Sequence, residues 1–240
     1  DISNQNKLSE FYEELKRLKI DVIRPDINEC FADFKTKNEK FYYALGGIKA
    51  VGYEAISNIV KERLSNGPFK SINDFLNRVN PKDINKLQLE GLVKAGAFDD
   101  FNKNRKLLFD SIPNFILKSK NLHENKSINQ INLFEENKDQ SESELLINTK
   151  DFLFEERLSK EFETLGFFIS DHPLNQFKEL FPQYNVINFN DFSTDTDVNE
   201  AVIAATILKI QEKKNQKGFS YAIIKFSDLG GVFELFVFSD

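Results

Sequence analysis

Along this 240-residue chain the apolar residues keep one spacing through the middle and a different one near the end. Between Tyr53 and Leu122 they recur every three to four residues, the spacing of a helix face. Ile56, Ile59 and Val60 form one such set, Ile72, Phe75, Leu76 and Val79 the next, and Ile84, Leu87, Leu89 and Leu92 a third. From Ala201 the spacing is two: 201–210 (AVIAATILKI), 219–227 (FSYAIIKFS) and 232–238 (VFELFVF) read as three strands, with turns at Lys213–Gly218 and Asp228–Gly231. A helical repeat buries no single face of a sheet, and an alternating one buries no single face of a helix. The expected class is therefore α+β in separate parts, a mostly helical region followed by an all-β one.

Punctuation refines this. A helix is expected over 7–19, through Leu8, Phe11, Tyr12, Leu15 and Leu18, followed by a short strand at Ile20–Ile23 that Pro25 ends. Phe31 with Phe34, and Phe41–Leu45, read as two further extended stretches. Asn66-Gly67-Pro68 stops a helix that begins at Tyr53. Ser71, with Asp74 three residues on, reads as an N-cap. Helices are expected over 83–94 and from Lys103 to Leu122, with Gly96 between them. Residues 121–150 are rich in Asn, Glu, Ser, Lys and Gln, the composition of a mobile linker, and hold one apolar island at Ile131–Phe134. A helical pattern returns over 151–165.

Charge is unevenly placed. The net −6 divides into −3 over residues 1–34, +7 over 35–120 and −10 over 121–240. A basic middle in an acidic chain suits a polyanion, against the plainer reading of a lysine-rich solvated surface. No apolar run approaches the roughly 20 residues of a membrane span, and no secretory signal opens the chain, so a cytoplasmic protein with no membrane partner is expected. The single Cys30 excludes an intrachain disulfide. Two histidines, His123 and His172, leave little for a zinc site. The lack of methionine, even at position 1, leads to the expectation of an internal piece of a longer protein.

Four features bear on function. Gly46-Gly47-Ile48-Lys49-Ala50-Val51-Gly52 precedes the helix from Tyr53. A tight glycine-containing turn at a helix start presents consecutive N–H groups that can hold a phosphate without reading sequence. Gly47, Lys49, Val51 and Gly52 are the candidates, with Lys61 and Arg63 adding counterion-releasing contacts. The alternative is a helical hairpin whose glycines serve packing alone. Leu92–Phe98 (LVKAGAF) reads as a second hairpin, with Lys94, Gly96, Lys103 and Arg105 as candidates; taken alone it reads more readily as structural. Gln130, Leu133 and Phe134 (QINLF) form a short apolar plug in the polar linker, suited to a partner's pocket, or else folded back on the helices. Lys209, Lys213, Lys214 and Lys217 cluster at the first strand turn, with Phe219, Tyr221 and Phe226 following. Lysines on phosphate and rings on bases suit a single strand; core aromatics beside a solvated turn are the even alternative. Ile223, Ile224 and Val237 are expected in the core.

Catalysis finds little support. Asp99-Asp100 and Glu155-Glu156 are sequence neighbours, which do not share a helix face. Asp171-His172 could suggest a nuclease or hydrolase, yet no serine or cysteine elbow accompanies it. No phosphate-binding loop of the P-loop type and no acidic cluster for two metals is present.

Five stretches, in order and spanning nearly the whole chain, resemble the bacterial DNA polymerase III alpha subunit, the C-family replicative polymerase: Ile20–Phe31 (IDVIRPDINECF), Leu45–Gly52 (LGGIKAVG), Leu87–Phe98 (LQLEGLVKAGAF), Glu161–Leu174 (EFETLGFFISDHPL) and Gly230–Asp240 (GGVFELFVFSD). The resemblance implies the end of a fingers domain over 1–34, a tandem helix-hairpin-helix DNA-binding domain over 35–120, a linker over 121–150 carrying a clamp-binding motif at Gln130–Phe134, a helical connector over 151–198, and from 199 the opening of an OB-fold that the chain leaves incomplete. It implies double-stranded DNA, single-stranded DNA, the sliding clamp and other replicase subunits as partners. The palm aspartates and their Mg2+ would belong to the parent polymerase, with no cofactor and no catalysis in this stretch. The sequence departs from the family at Ala50, where a first hairpin glycine is frequent, and at Asp171, where glycine is usual before His-Pro. The alternative to a DNA-holding part is a structural scaffold within the polymerase, with DNA contacted elsewhere.

Overall fold

A computed structural model describes residues 4–127, 142–216 and 218–238. They gather into two compact units, Asp1–Ser170 and Asp171–Asp240.

In the first unit, α1 (Gln5–Arg17) starts at Asn4, whose side chain accepts from the Lys7 amide. The short strands β1 (Val22–Ile23), β2 (Lys35–Lys37) and β3 (Lys40–Tyr42) form a sheet in the order β1-β3-β2, with β1 parallel and β2 antiparallel to β3. A single 3-10 turn, Leu45–Gly47, leads into α2 (Tyr53–Asn66). Gly67, at φ 85°, ends α2, where a side chain would be strained. Ser71 caps α3 (Ile72–Arg78) through the Asp74 amide at 3.1 Å. A capping box of Asn85 and Gln88 opens α4 (Lys86–Lys94).

The helix expected over 103–122 is broken. It starts at the cap Asn104 and divides at Ser111 into α5 (Arg105–Asp110) and α6 (Ile112–Ser127). Ser111 Oγ donates to the Leu107 carbonyl at 2.7 Å and accepts the Ile147 amide at 2.8 Å, a bond that competes with a straight helix. Among the described residues two further helices follow in this unit, α7 (Glu142–Leu145) and α8 (Phe154–Leu165).

One apolar cluster runs through this unit. It joins Ile27 and Cys30 to Leu45, Ile56, Phe75, Leu89, Phe98 and Phe115, and takes in Leu165 and Phe167 from the far end. Packing therefore does not divide at 34, 120 or 150, where separate segments are expected from the sequence. Neither a short three-stranded sheet nor a lone helix can cover its own apolar face, so both are absorbed by the helical region.

The second unit begins with a 3-10 helix, Pro173–Tyr184, whose Pro173 and Pro182 each lack an amide donor. It is followed by α9 (Phe189–Thr194) and an antiparallel sheet of β4 (Thr206–Lys214), β5 (Ser220–Ser227) and β6 (Val232–Phe238) in sequence order. β4 runs later than the expected 201–210, because its lysine-rich end is held in register, Lys213 opposite Tyr221. The fold class is α+β, helical in the first unit and a helix-flanked sheet in the second. No helix among the described residues is long and apolar enough to cross a membrane.

Candidate nucleic-acid interface

The first hairpin turn lies between the Leu45–Gly47 helical turn and α2. Its sharpest residue is Ala50, at φ 65°. A non-glycine residue in this left-handed region crowds its Cβ against the following carbonyl. Gly46 and Gly47 do not make the turn: Gly47 is buried, and a Cβ on Gly46 would lie 2.6 Å from the Ala32 carbonyl oxygen. Gly52 caps α2 at an ordinary φ of −75°, and among the described residues beyond its chain neighbours the atom near its missing Cβ is Gln88 Nε2, at 3.5 Å.

Two amides of the turn are already used. Lys49 donates to the Thr164 carbonyl at 3.0 Å, and Val51, itself buried, donates to Ile48 at 3.1 Å. The presented donors therefore begin one residue later than the sequence suggests. α2 has no side-chain cap, its first helical bond is made by the Ile56 amide, and Gly52, Tyr53 and Glu54 are exposed. Those leading amides and the helix dipole together make a positive end. Glu54 opposes it and exposed Lys49 reinforces it. Beneath the turn, α4 crosses at Gly91, whose missing Cβ would meet Val51 Cγ2 at 2.8 Å and the Lys49 carbonyl oxygen at 2.9 Å.

The basic residues assigned to this hairpin separate. Lys61 is exposed and lines a surface groove with Asn58, Arg78 and Asp83. Arg63 is only 5% exposed; it donates to the Ile27 carbonyl at 2.6 Å and lies over the Phe31 ring. Burial lowers its guanidinium from the usual value. Arg63 is a core strut and cannot reach a phosphate.

The second hairpin is closed. Gly96 has φ 84°, and its Cβ position would collide with the Arg105 guanidinium, so this glycine serves both the turn and packing. The amides of Ala95, Gly96, Ala97, Asp99, Phe101 and Asn102 all donate to carbonyls of the hairpin itself. At the start of α5, Asn104 accepts the Leu107 amide and the Asp151 carboxylate accepts the Lys106 amide. A carboxylate of the chain thus sits where a phosphate would be held.

Arg105 is 3% exposed and joins Asp99 at 2.7 Å, Glu161 at 3.1 Å and the Lys94 carbonyl at 3.0 Å. Glu161, fully buried, also accepts the Ile169 and Ser170 amides. Burial alone would lower the Arg105 pKa, but Asp99 and Glu161 outweigh it and raise it. Lys94 pairs with Glu163 at 3.1 Å. Of the four residues assigned to this hairpin, only Lys103 is exposed. Arg105, Lys94 and Gly96 are structural here: Asp99 and Glu161 hold Arg105, Glu163 holds Lys94, and Gly96 makes room for the Arg105 guanidinium.

In the second unit the register of β4, β5 and β6 sorts side chains by face. Tyr221 and Ile223 share a face with Lys213 across one strand and with Phe236 and Phe238 across the other. The rings of Tyr221 and Phe238 stack at 5.8 Å, and those of Tyr221 and Phe236 at 6.5 Å. Phe226 points the other way and stacks on Phe233, which stacks on Phe189. Ile223 and Ile224, both expected in the core, are sequence neighbours in a strand and point to opposite faces. Lys214 lies across from Ser220, and Phe219, in the turn, is 63% exposed.

His172 is a helix cap. Its Nδ1 accepts the Leu174 amide at 3.2 Å, and its Nε2 lies 2.9 Å from Ser227 Oγ. Asp171 accepts from the His172 amide and from Asn175, so both side chains hold the start of the Pro173 helix. Gln130, Leu133, Phe134 and Lys217 lie outside the described residues. The sequence reading missed Gly91, Asp151, Phe236 and Phe238. Phe236 and Phe238 were visible as the alternate residues of the last strand, whereas no local signal pairs Asp151 with Lys106 or Gly91 with Val51.

A family profile described as a helix-hairpin-helix motif matches residues 19–108. Curated relatives match along the whole chain. A protein of Borreliella burgdorferi named DNA polymerase III subunit alpha is 34% identical over all of this chain and 21% of its own length. Its namesakes in Caulobacter vibrioides and Campylobacter jejuni are 30% and 32% identical over 98% of the chain, and over 21% and 20% of their own lengths. The chain thus spans about a fifth of the relatives it matches.

Proposed function

The chain belongs to the DNA polymerase III alpha-subunit family, corresponding to about a fifth of its members' length, and on that premise we propose that it is a non-catalytic part of a replicative polymerase that holds duplex DNA and docks a sliding clamp. One observation carries the DNA-holding role: the start of α2 is uncapped and exposed beside Lys49, behind a left-handed turn residue, with its leading amides unclaimed by any side chain. Such an end holds a phosphate by backbone donors and dipole, independent of base sequence. The closed second hairpin favours a scaffold role for the Lys86–Asp110 stretch, bracing the open hairpin from beneath through Gly91.

Clamp docking rests on Gln130, Leu133 and Phe134, an apolar plug in a polar stretch. Tethering a polymerase to a ring on the same DNA turns repeated encounters into an intramolecular one. The face of β5 and β6 that carries Tyr221, Phe236 and Phe238, with Lys213 across from Tyr221, suits the stacking of a single strand in the manner of an OB-fold. On this reading polymerase chemistry and its Mg2+ lie in the part of the relatives' length that this chain does not span, and no step is assigned to this stretch.

The test is duplex binding measured by fluorescence anisotropy. Gly52→Ala is expected to be mild, since the added Cβ would make an ordinary contact with Gln88 Nε2 at 3.5 Å. Gly52→Leu is expected to weaken binding on the order of tenfold with the circular dichroism unchanged, by obstructing the approach of the sugar-phosphate backbone. Lys49→Gln should lower the salt slope by about one. Unchanged binding in all three removes the phosphate grip. Separately, unchanged clamp affinity with Leu133→Ala and Phe134→Ala removes the docking claim.

A further inference from the structure

We propose that the hairpin of β2 and β3 is a second contact to duplex DNA, a basic ribbon that lies on phosphates of the same duplex held by the α2 turn. The inference rests on the DNA-holding reading above and adds a site that neither hairpin motif includes.

The register pairs Lys35 with Tyr42, Thr36 with Phe41 and Lys37 with Lys40. Alternation along a strand therefore puts Lys35, Lys37 and Lys40 on one face. The opposite face is anchored, because the Phe41 ring packs on Phe11 at 5.4 Å and on Phe34 at 5.3 Å. All three lysines are exposed, and among the described residues none lies within ion-pairing distance of a carboxylate. This separates them from Arg78, Lys94, Arg105 and Lys106, whose charges are met within the fold.

The ribbon is held in shape at a cost. Its two turn residues, Asn38 and Glu39, both have positive φ, 52° and 61°, the conformation of a tight two-residue hairpin turn normally given to glycine. Lys37 and Lys40 stand directly opposite each other, an arrangement of like charges that works against strand pairing. A polyanion laid on this face removes that repulsion and releases its counterions. Lys35 Nζ sits 4.2 Å from the centre of the Phe31 ring, which steadies it at the ribbon's base. Reach also fits: Lys40 and Lys49 are nine residues apart, at most about 30 Å, within one duplex turn of about 34 Å. A single short duplex can touch both.

The experiment compares salt titrations of binding to a mixed-sequence duplex by the full chain, the Lys35→Gln/Lys37→Gln/Lys40→Gln triple, and the matching triple to arginine. Each phosphate contact contributes about 0.9 to the slope of log affinity against log salt. The glutamine triple should lose roughly 2 to 3 from that slope and bind at least about tenfold more weakly at low salt, while the arginine triple keeps both. With no repulsion left, the glutamine triple should melt no lower than the parent. If the parent binds with a steep slope and the glutamine triple keeps it, the ribbon is overturned while the α2 turn stands. A parent that does not bind duplex overturns both. A loss shared equally by the arginine triple assigns the effect to shape and overturns the phosphate contact.

Discussion

Ala50 concentrates the strain of the first hairpin. At φ 65° an alanine costs about 1–2 kcal/mol relative to its preferred backbone. Glycine relieves that cost but gives back roughly 0.5–1 kcal/mol of chain entropy. Ala50→Gly should therefore stabilise the protein by about 0.5–1 kcal/mol, read as a higher urea midpoint with an unchanged slope. A lower midpoint would mean that the left-handed turn is not where the structure has it. The sequence marks this region through Gly46, Gly47 and Gly52, yet none of the three supplies the turn. Glycine can answer to a positive φ, to a neighbour's backbone or to nothing local, and its one-letter code does not say which. Arg63 and Arg105 carry the same lesson. Each sits beside a hairpin and looks available, but each is buried by partners remote in sequence, Ile27 for one and Glu161 for the other.

Among the elements, α4 bears on the turn most directly. Gly91 lies within this helix, where alanine would ordinarily add about 1 kcal/mol through helix propensity. Here the added methyl would press on Val51 Cγ2 and on the Lys49 carbonyl oxygen, and overpacking of that kind costs roughly 1–3 kcal/mol. Backbone yields less easily than a flexible side chain, so the loss should win. Gly91→Ala is expected to lower stability by about 1 kcal/mol in a thermal melt followed by circular dichroism. A stabilised variant would mean that α4 does not support the turn closely. Most element starts and stops were legible because their signals are local: Ser71 and Asp74, Asn66-Gly67-Pro68, the alternation in β5 and β6. The break between α5 and α6 was not. It depends on Ser111 accepting an amide from Ile147, which no window of sequence around Ser111 contains.

For the unit Asp1–Ser170 as a whole, one core collects groups that resist ionisation. Burial pushes the Cys30 thiol up to about 12 from its ordinary 9, and the Tyr12 phenol up to about 12 from 10. Tyr43 is pushed up too, again by burial, and its hydroxyl has no hydrogen-bond partner among the described residues. Each of these folded-state values lies above its unfolded one. The contribution is therefore complete below about pH 9 and is lost as pH rises towards 12, since only the unfolded chain can ionise these groups in that window. The urea midpoint should hold steady from pH 7 to 8.5 and then fall through pH 11. A flat midpoint across the alkaline range would contradict the burial of Cys30 and Tyr12.

By itself the sequence determined the class, the change from helical elements to a three-stranded stretch and the presence of a hairpin before α2, because periodicity, caps and turn residues act over a few positions. It also placed the chain's excess positive charge over residues 35–120. Only the tertiary structure decided which of those charges remain free and which amides remain open. Asp151, Glu161 and Glu163 fold back to close the second hairpin, while among the described residues no side chain caps the start of α2 and no carboxylate pairs with Lys35, Lys37 or Lys40. Pairing of that kind is set by contacts between residues dozens of positions apart, and a one-dimensional pattern holds no record of them.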